Sequence, residues 1–173
     1  MGVGFGTATA QAQTRAYVTN ESSNTVSVID TATNTVVATI PVGAVPVGVA
    51  ITPDGTRAYV DDFLDNTVSV IDTATNTVVA TIAVGLTPRG VAITPDGTRA
   101  YVTNELGNTV SVIDTATNTV VATIPVGLAP RGVAITPDGT RAYVAEANSF
   151  TVSVIDTATN TVLRPLLLAS VLG

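Results

Sequence analysis

A chain of 173 residues has the length of one ordinary domain, able to bury about 70% of its unfolded surface. Its 13 carboxylates face seven arginines, with no lysine and no histidine, and the net charge of -6 leaves no basic stripe for nucleic acid or an anionic membrane. The absence of cysteine excludes disulfides, thiol nucleophiles and thiolate metal sites within it.

Only 12% of residues are charged while 46% are hydrophobic, which requires elements buried on both sides. No stretch reaches the ~18 apolar residues of a membrane helix. The opening MGVGFGTATAQAQ lacks the basic and apolar regions of a secretory signal, so none is expected in it.

Taken in order, the chain repeats. TVSVIDTATNTV recurs letter for letter at Thr25–Val36, Thr67–Val78, Thr109–Val120 and Thr151–Val162, with a period of 42. A fixed period of that size marks a tandem architecture. In the second unit four extended segments are expected. The first, Val47–Thr52, leads into Pro53-Asp54-Gly55, where Pro presets φ and Gly supplies a positive φ for a tight hairpin. The second is Arg57–Val60, followed by a loop over Asp61–Asn66. The third, Thr67–Asp72, turns through Thr73–Asn76 into the fourth, Thr77–Val84. Val, Ile, Thr and Tyr fill the segments and no helical period competes. By strict alternation Val68 and Val70 point one way and Ser69 and Ile71 the other, while Val78, Ala80 and Ile82 oppose Val79 and Thr81.

A four-stranded antiparallel unit of this length, apolar on both faces, is a propeller blade sandwiched between neighbours. The fold class is therefore all-β, a propeller with four blades at about 4–43, 46–85, 88–127 and 130–167 in one domain (4–173). An apolar tail follows at 168–173. The first blade has lost its Pro-Asp-Gly turn, its inner strand being GTATAQAQ. Pro165 is tolerable because the fourth strand is an outer edge.

RAYVTN at Arg15–Asn20 and Arg99–Asn104, followed by NTVSVIDTATNTVVATIPVG, resembles the YVTN family of propeller repeats. The resemblance implies a bacterial or archaeal surface-layer or other extracytoplasmic protein, in rings of about seven blades. With no tryptophan the chain does not resemble a WD repeat.

Slim Val, Ala, Thr and Ile strands suit narrow wedge angles and a high blade number. Four blades in an open half ring would expose two apolar end faces. The expected assembly is thus a two-fold homodimer forming an eight-bladed ring. The alternatives are a closed four-bladed monomer and part of a longer propeller.

The units differ in the loops between second and third strands and between blades, which a propeller places on one face. That face is the candidate ligand surface, carrying Glu21, Asp61, Asp62, Asp65, Arg89, Glu105, Arg131 and Glu146. Arg89 and Arg131 are expected to form ion pairs, and Phe63 and Phe150 to act as local caps. Asp61, Asp62 and Asp65 lack the spacing of a calcium loop, so no metal is assigned. Asp30, Asp72, Asp114 and Asp156 read as hairpin caps rather than catalytic acids, and Tyr17, Tyr59, Tyr101 and Tyr143 as core residues. No Ser-His-Asp set or phosphate loop exists, so no catalytic residue and no cofactor is assigned. The leading expectation is a non-catalytic structural or interaction scaffold. The alternatives are a multivalent glycan or small-ligand binder, a cation-dependent hydrolase or lactonase, and an amplified or designed repeat with no evolved ligand.

Overall fold

The computed structural model describes residues 14–167. Blade one contributes β1 (Arg15–Asn20), a short 3-10 turn at Glu21–Ser23, β2 (Thr25–Asp30) and β3 (Thr35–Pro41). Blade two is β4 (Pro46–Ile51), β5 (Arg57–Asp62), β6 (Thr67–Asp72) and β7 (Thr77–Ala83). Blade three is β8 (Pro88–Ile93), β9 (Arg99–Asn104), β10 (Thr109–Asp114) and β11 (Thr119–Pro125). Blade four is β12 (Pro130–Ile135), β13 (Arg141–Glu146), β14 (Thr151–Asp156) and β15 (Thr161–Leu167). Each is an antiparallel meander in chain order, and the all-β propeller class holds. The inner strand expected in blade one and the apolar tail lie outside the described residues.

The Pro-Asp-Gly turns form as expected. Gly55 sits at φ 73°, and Asp54 Oδ1 accepts from the Thr52 hydroxyl at 2.6 Å and the Thr56 amide at 3.0 Å. The Asp-Thr-Ala-Thr-Asn loops are capped by their aspartates. Asp72 Oδ1 accepts from the Ala74 and Thr75 amides at 3.0 and 2.9 Å, and Oδ2 pairs with Arg57. The Thr75 amide bond leads the interactions that hold the Asp72 pKa below the ordinary carboxylate value. The same geometry recurs at Asp114 and Asp156.

One expectation about faces is corrected. A β-bulge between Val70 and Ile71 shifts the register against β7, so Val78 turns to the opposite face from Ala80 and Ile82. Val78 packs with Ile71 against blade one, whereas Ala80 and Ile82 pack towards blade three. The bulge recurs in every blade on the outer edge strand, where it also discourages edge-to-edge pairing. β5 runs to Asp62, beyond the predicted Val60, because Asp61 and Asp62 pair with Val68 and Thr67.

The core lies between blades. Tyr17, Val26, Val28 and Ile40 of blade one close on Ala58, Val60 and Ile71 of blade two, and equivalent clusters fill the next two junctions. Polar links accompany each one. Tyr17, Tyr59 and Tyr101 donate their hydroxyls to Asn76, Asn118 and Asn160 of the following blade at 3.2, 2.9 and 2.9 Å. Asn24, Asn66 and Asn108 accept the amides of Val45, Thr87 and Ala129 in the following inter-blade loops at 2.9, 2.8 and 2.9 Å.

Those loop amides belong to residues at φ 56°, 55° and 53°, a left-handed conformation that β-branched Val45 and Thr87 adopt at a cost. Val45→Gly is expected to raise stability by about 1 kcal/mol, read as a higher melting temperature. No gain would mean that the Val45 side chain contributes packing that offsets the strain.

Candidate functional site

The loops joining second to third strands meet the inter-blade loops through backbone bonds: Phe63 N to Val45 O, Glu105 N to Thr87 O and Ala147 N to Ala129 O, at 3.1, 2.9 and 3.0 Å. The varied segments therefore share one face. On it Glu105 stands between two arginines from successive inner strands. Its Oε2 accepts from Arg89 Nη1 at 2.8 Å and its Oε1 from Arg131 Nε at 2.9 Å. Phe63, in the position corresponding to Glu105 one blade earlier, lies under the Arg89 guanidinium at 5.9 Å. Phe63, Arg89, Glu105 and Arg131 thus form a ladder on the rim of the inner strands, two cations around one acid. Arg131 keeps half its side chain in solvent, with donors unspent on Glu105.

The other site residues of the sequence reading separate by burial. Glu21 is exposed in the 3-10 turn, and Asp65 is an exposed loop acid whose Oδ2 accepts the Ala44 amide at 2.8 Å. Asp62 and Glu146 are buried loop ties rather than surface ligands. Asp62 accepts from Gly43 N, Thr67 Oγ1 and Ser69 Oγ at 3.1, 3.1 and 2.7 Å, and burial nevertheless raises its pKa. At Glu146 burial also acts upward, but bonds from Ser153, Thr151, Gly127 and Ser149 together hold the pKa below the ordinary value.

Asp61 is the exception. It is fully buried, and neither carboxyl oxygen has a hydrogen-bond partner among the described residues. Burial, reinforced by the neighbouring Asp62 charge, pushes its pKa well above the carboxylate range. Its position repeats every 42 residues as Thr19, Asp61, Thr103 and Ala145. Thr19 and Thr103 donate to the carbonyls of Val47 and Arg131 in the next inner strand at 2.9 and 2.7 Å. The corresponding carbonyl for Asp61 is that of Arg89. A Cβ on Gly48 would meet both Asp61 Oδ2 and, at 3.0 Å, that oxygen. This inter-blade latch was absent from the sequence reading, although the phase of the four residues carried the signal.

The opposite face holds a crevice at each junction, lined in the last by Asp96, Arg99, Tyr101, Asp138 and Thr157. The three have volumes of about 500, 270 and 530 Å³. Among the described residues no group of three or more acids is placed to hold a metal ion.

Repeated four-stranded blades with inter-blade cores define a β-propeller repeat protein. The match to the cytochrome D1 heme domain covers residues 11–164, and the chain belongs to that family. It is also similar to a solved chain of Kuenenia stuttgartiensis hydrazine synthase, with 32% identity and a TM-score of 0.85 over 89% of this chain. The match covers 46% of the hydrazine synthase chain. Comparison with curated proteins gives no match.

The family description implies a heme, and the residues here do not fit one. An iron-bound porphyrin takes an axial His, Cys, Met or Tyr. The chain has no histidine or cysteine, and its single methionine, Met1, lies outside the described residues. The hydroxyls of Tyr17, Tyr59 and Tyr101 are committed to asparagines, and Tyr143 stands on the outer face of blade four.

Proposed function

We propose that the chain is a non-catalytic interaction scaffold, a half-propeller of which two copies complete an eight-bladed ring. The observation that carries this reading is the alternation of burial along the second strands. In blades two and three, strands β5 and β9 are buried on both faces after their first residue. In β13 Tyr143 and Ala145 are exposed while Ala142 and Val144 are buried. In β1 the pattern is opposite, with Val18 exposed and Tyr17 buried. Each terminal blade therefore presents the face that its internal counterparts bury, and apolar faces of that kind are normally covered. The resemblance of the RAYVTN repeat to YVTN propellers supports placing the scaffold outside the cytoplasm.

Light scattering coupled to size exclusion across a dilution series is the test. The expected mass is twice the 17.4 kDa of the chain; a monomer at every concentration would overturn the reading. A second reading, multivalent binding of a small polar ligand such as a sugar, is favoured by the recurrence of one crevice at all three junctions. Calorimetric titration with a panel of monosaccharides tests it: several equivalent sites per chain would support it, and no heat from any sugar would remove it.

A further inference from the structure

Two polar devices are common to all three internal junctions, a tyrosine reaching a loop asparagine one blade on and an asparagine accepting an inter-blade amide, and at the first and last of them a threonine latch also donates to an inner-strand carbonyl. Blade four changes two of them. Where Thr19 and Thr103 donate, Ala145 has no hydroxyl; where Asn24, Asn66 and Asn108 accept, Phe150 has no acceptor. Phe150 nevertheless keeps the left-handed conformation, at φ 53°, with 74% of its surface exposed. An aromatic side chain at that φ is strained and, in solvent, gains nothing locally to offset it. The third device survives. Tyr143 has the phase of Tyr17, Tyr59 and Tyr101, but among the described residues its hydroxyl has no hydrogen-bond partner. Asn34 has the phase of Asn76, Asn118 and Asn160 at the other end, where it is exposed. A shallow apolar recess of about 330 Å³ opens beside Tyr143, between Val133, Ala145 and Val152.

Resting on the scaffold reading, we infer that this outgoing face of blade four is an apolar joint dedicated to blade one of a second copy, with Tyr143 donating to Asn34 of that copy. The occupant follows from continuity with the internal interfaces. The face that closes on Tyr17, Tyr59 and Tyr101 is in each case the incoming face of a blade, and among the described residues the incoming face without a blade against it is that of blade one, with Val18 and Val36 exposed on it. The loss of two polar devices gives the joint a chemistry unlike the internal ones.

Dimer dissociation measured by sedimentation, with circular dichroism to confirm folding, tests the joint. A hydrogen bond is worth about fivefold in affinity, and the ring holds two such joints. Tyr143→Phe and Asn34→Ala are each expected to weaken the dimer roughly 25-fold, and the double variant no further than either. Ala145→Glu, which puts a charge into the apolar joint, is expected to leave a folded monomer. Wild-type affinity in Tyr143→Phe and Ala145→Glu would overturn the joint and leave the scaffold reading standing. A monomeric wild type would overturn both.

Discussion

Asp61→Thr is expected to stabilise the protein at neutral pH by about 2 kcal/mol, in the range for satisfying a buried polar group left without a partner. The threonine would repeat the latch of Thr19 and Thr103, donating to the Arg89 carbonyl. The pH dependence identifies the cause. Asp61 has a raised pKa in the folded state against about 3.9 unfolded. Below that unfolded value both states are protonated, and the acid can serve as a donor much as threonine does. As pH rises from there towards the folded pKa, the unfolded chain releases the proton first and stability falls. The difference between the variant and the wild type should accordingly be small near pH 4 and grow with pH. Urea midpoints at several pH values would measure it. A difference independent of pH would mean that Asp61 costs the fold by its shape rather than its ionisation.

The largest loss is expected from Gly90→Ala, about 3 kcal/mol, at the upper end of overpacking costs. Gly90 needs no unusual φ; what excludes a side chain is close approach. A Cβ there would overlap the Arg131 carbonyl oxygen, which is fixed backbone and also accepts the Thr103 hydroxyl. The two inner strands would have to separate, breaking the latch between blades three and four. Gly132→Ala, with nothing within 4 Å of its Cβ, is the control and should cost much less. Equal losses in chemical denaturation would show that backbone flexibility, not approach, sets the cost.

Much of this architecture could be read from the letters because the repeat supplies its own alignment. Pro-Asp-Gly fixed one hairpin and Asp-Thr-Ala-Thr-Asn the other, both through local bonds whose partners lie within a few residues. The face of Val78 could not be read, because the bulge opposite Ile71 depends on packing against the previous blade. The acids of the varied loops illustrate the same limit. Glu105 and Asp62 occupy neighbouring positions in the loop phase, yet one bridges two rim arginines while the other is sealed under its own loop. Sequence phase placed both on one face and both are buried; which partners each meets there depends on contacts between blades and loops that the letters do not carry. The latch shows the converse: Thr19, Asp61, Thr103 and Ala145 were in plain register, but the carbonyl that Thr19 and Thr103 each address lies 28 residues on, in another blade.

The central claim is that four slim blades do not close alone and that two chains make one ring. Single-particle images of the protein viewed down the ring axis test it most directly. The account predicts class averages with eight blades around one axis, two copies of the four sheets seen in the chain. Closed rings of four blades, or open arcs that never pair, would contradict it.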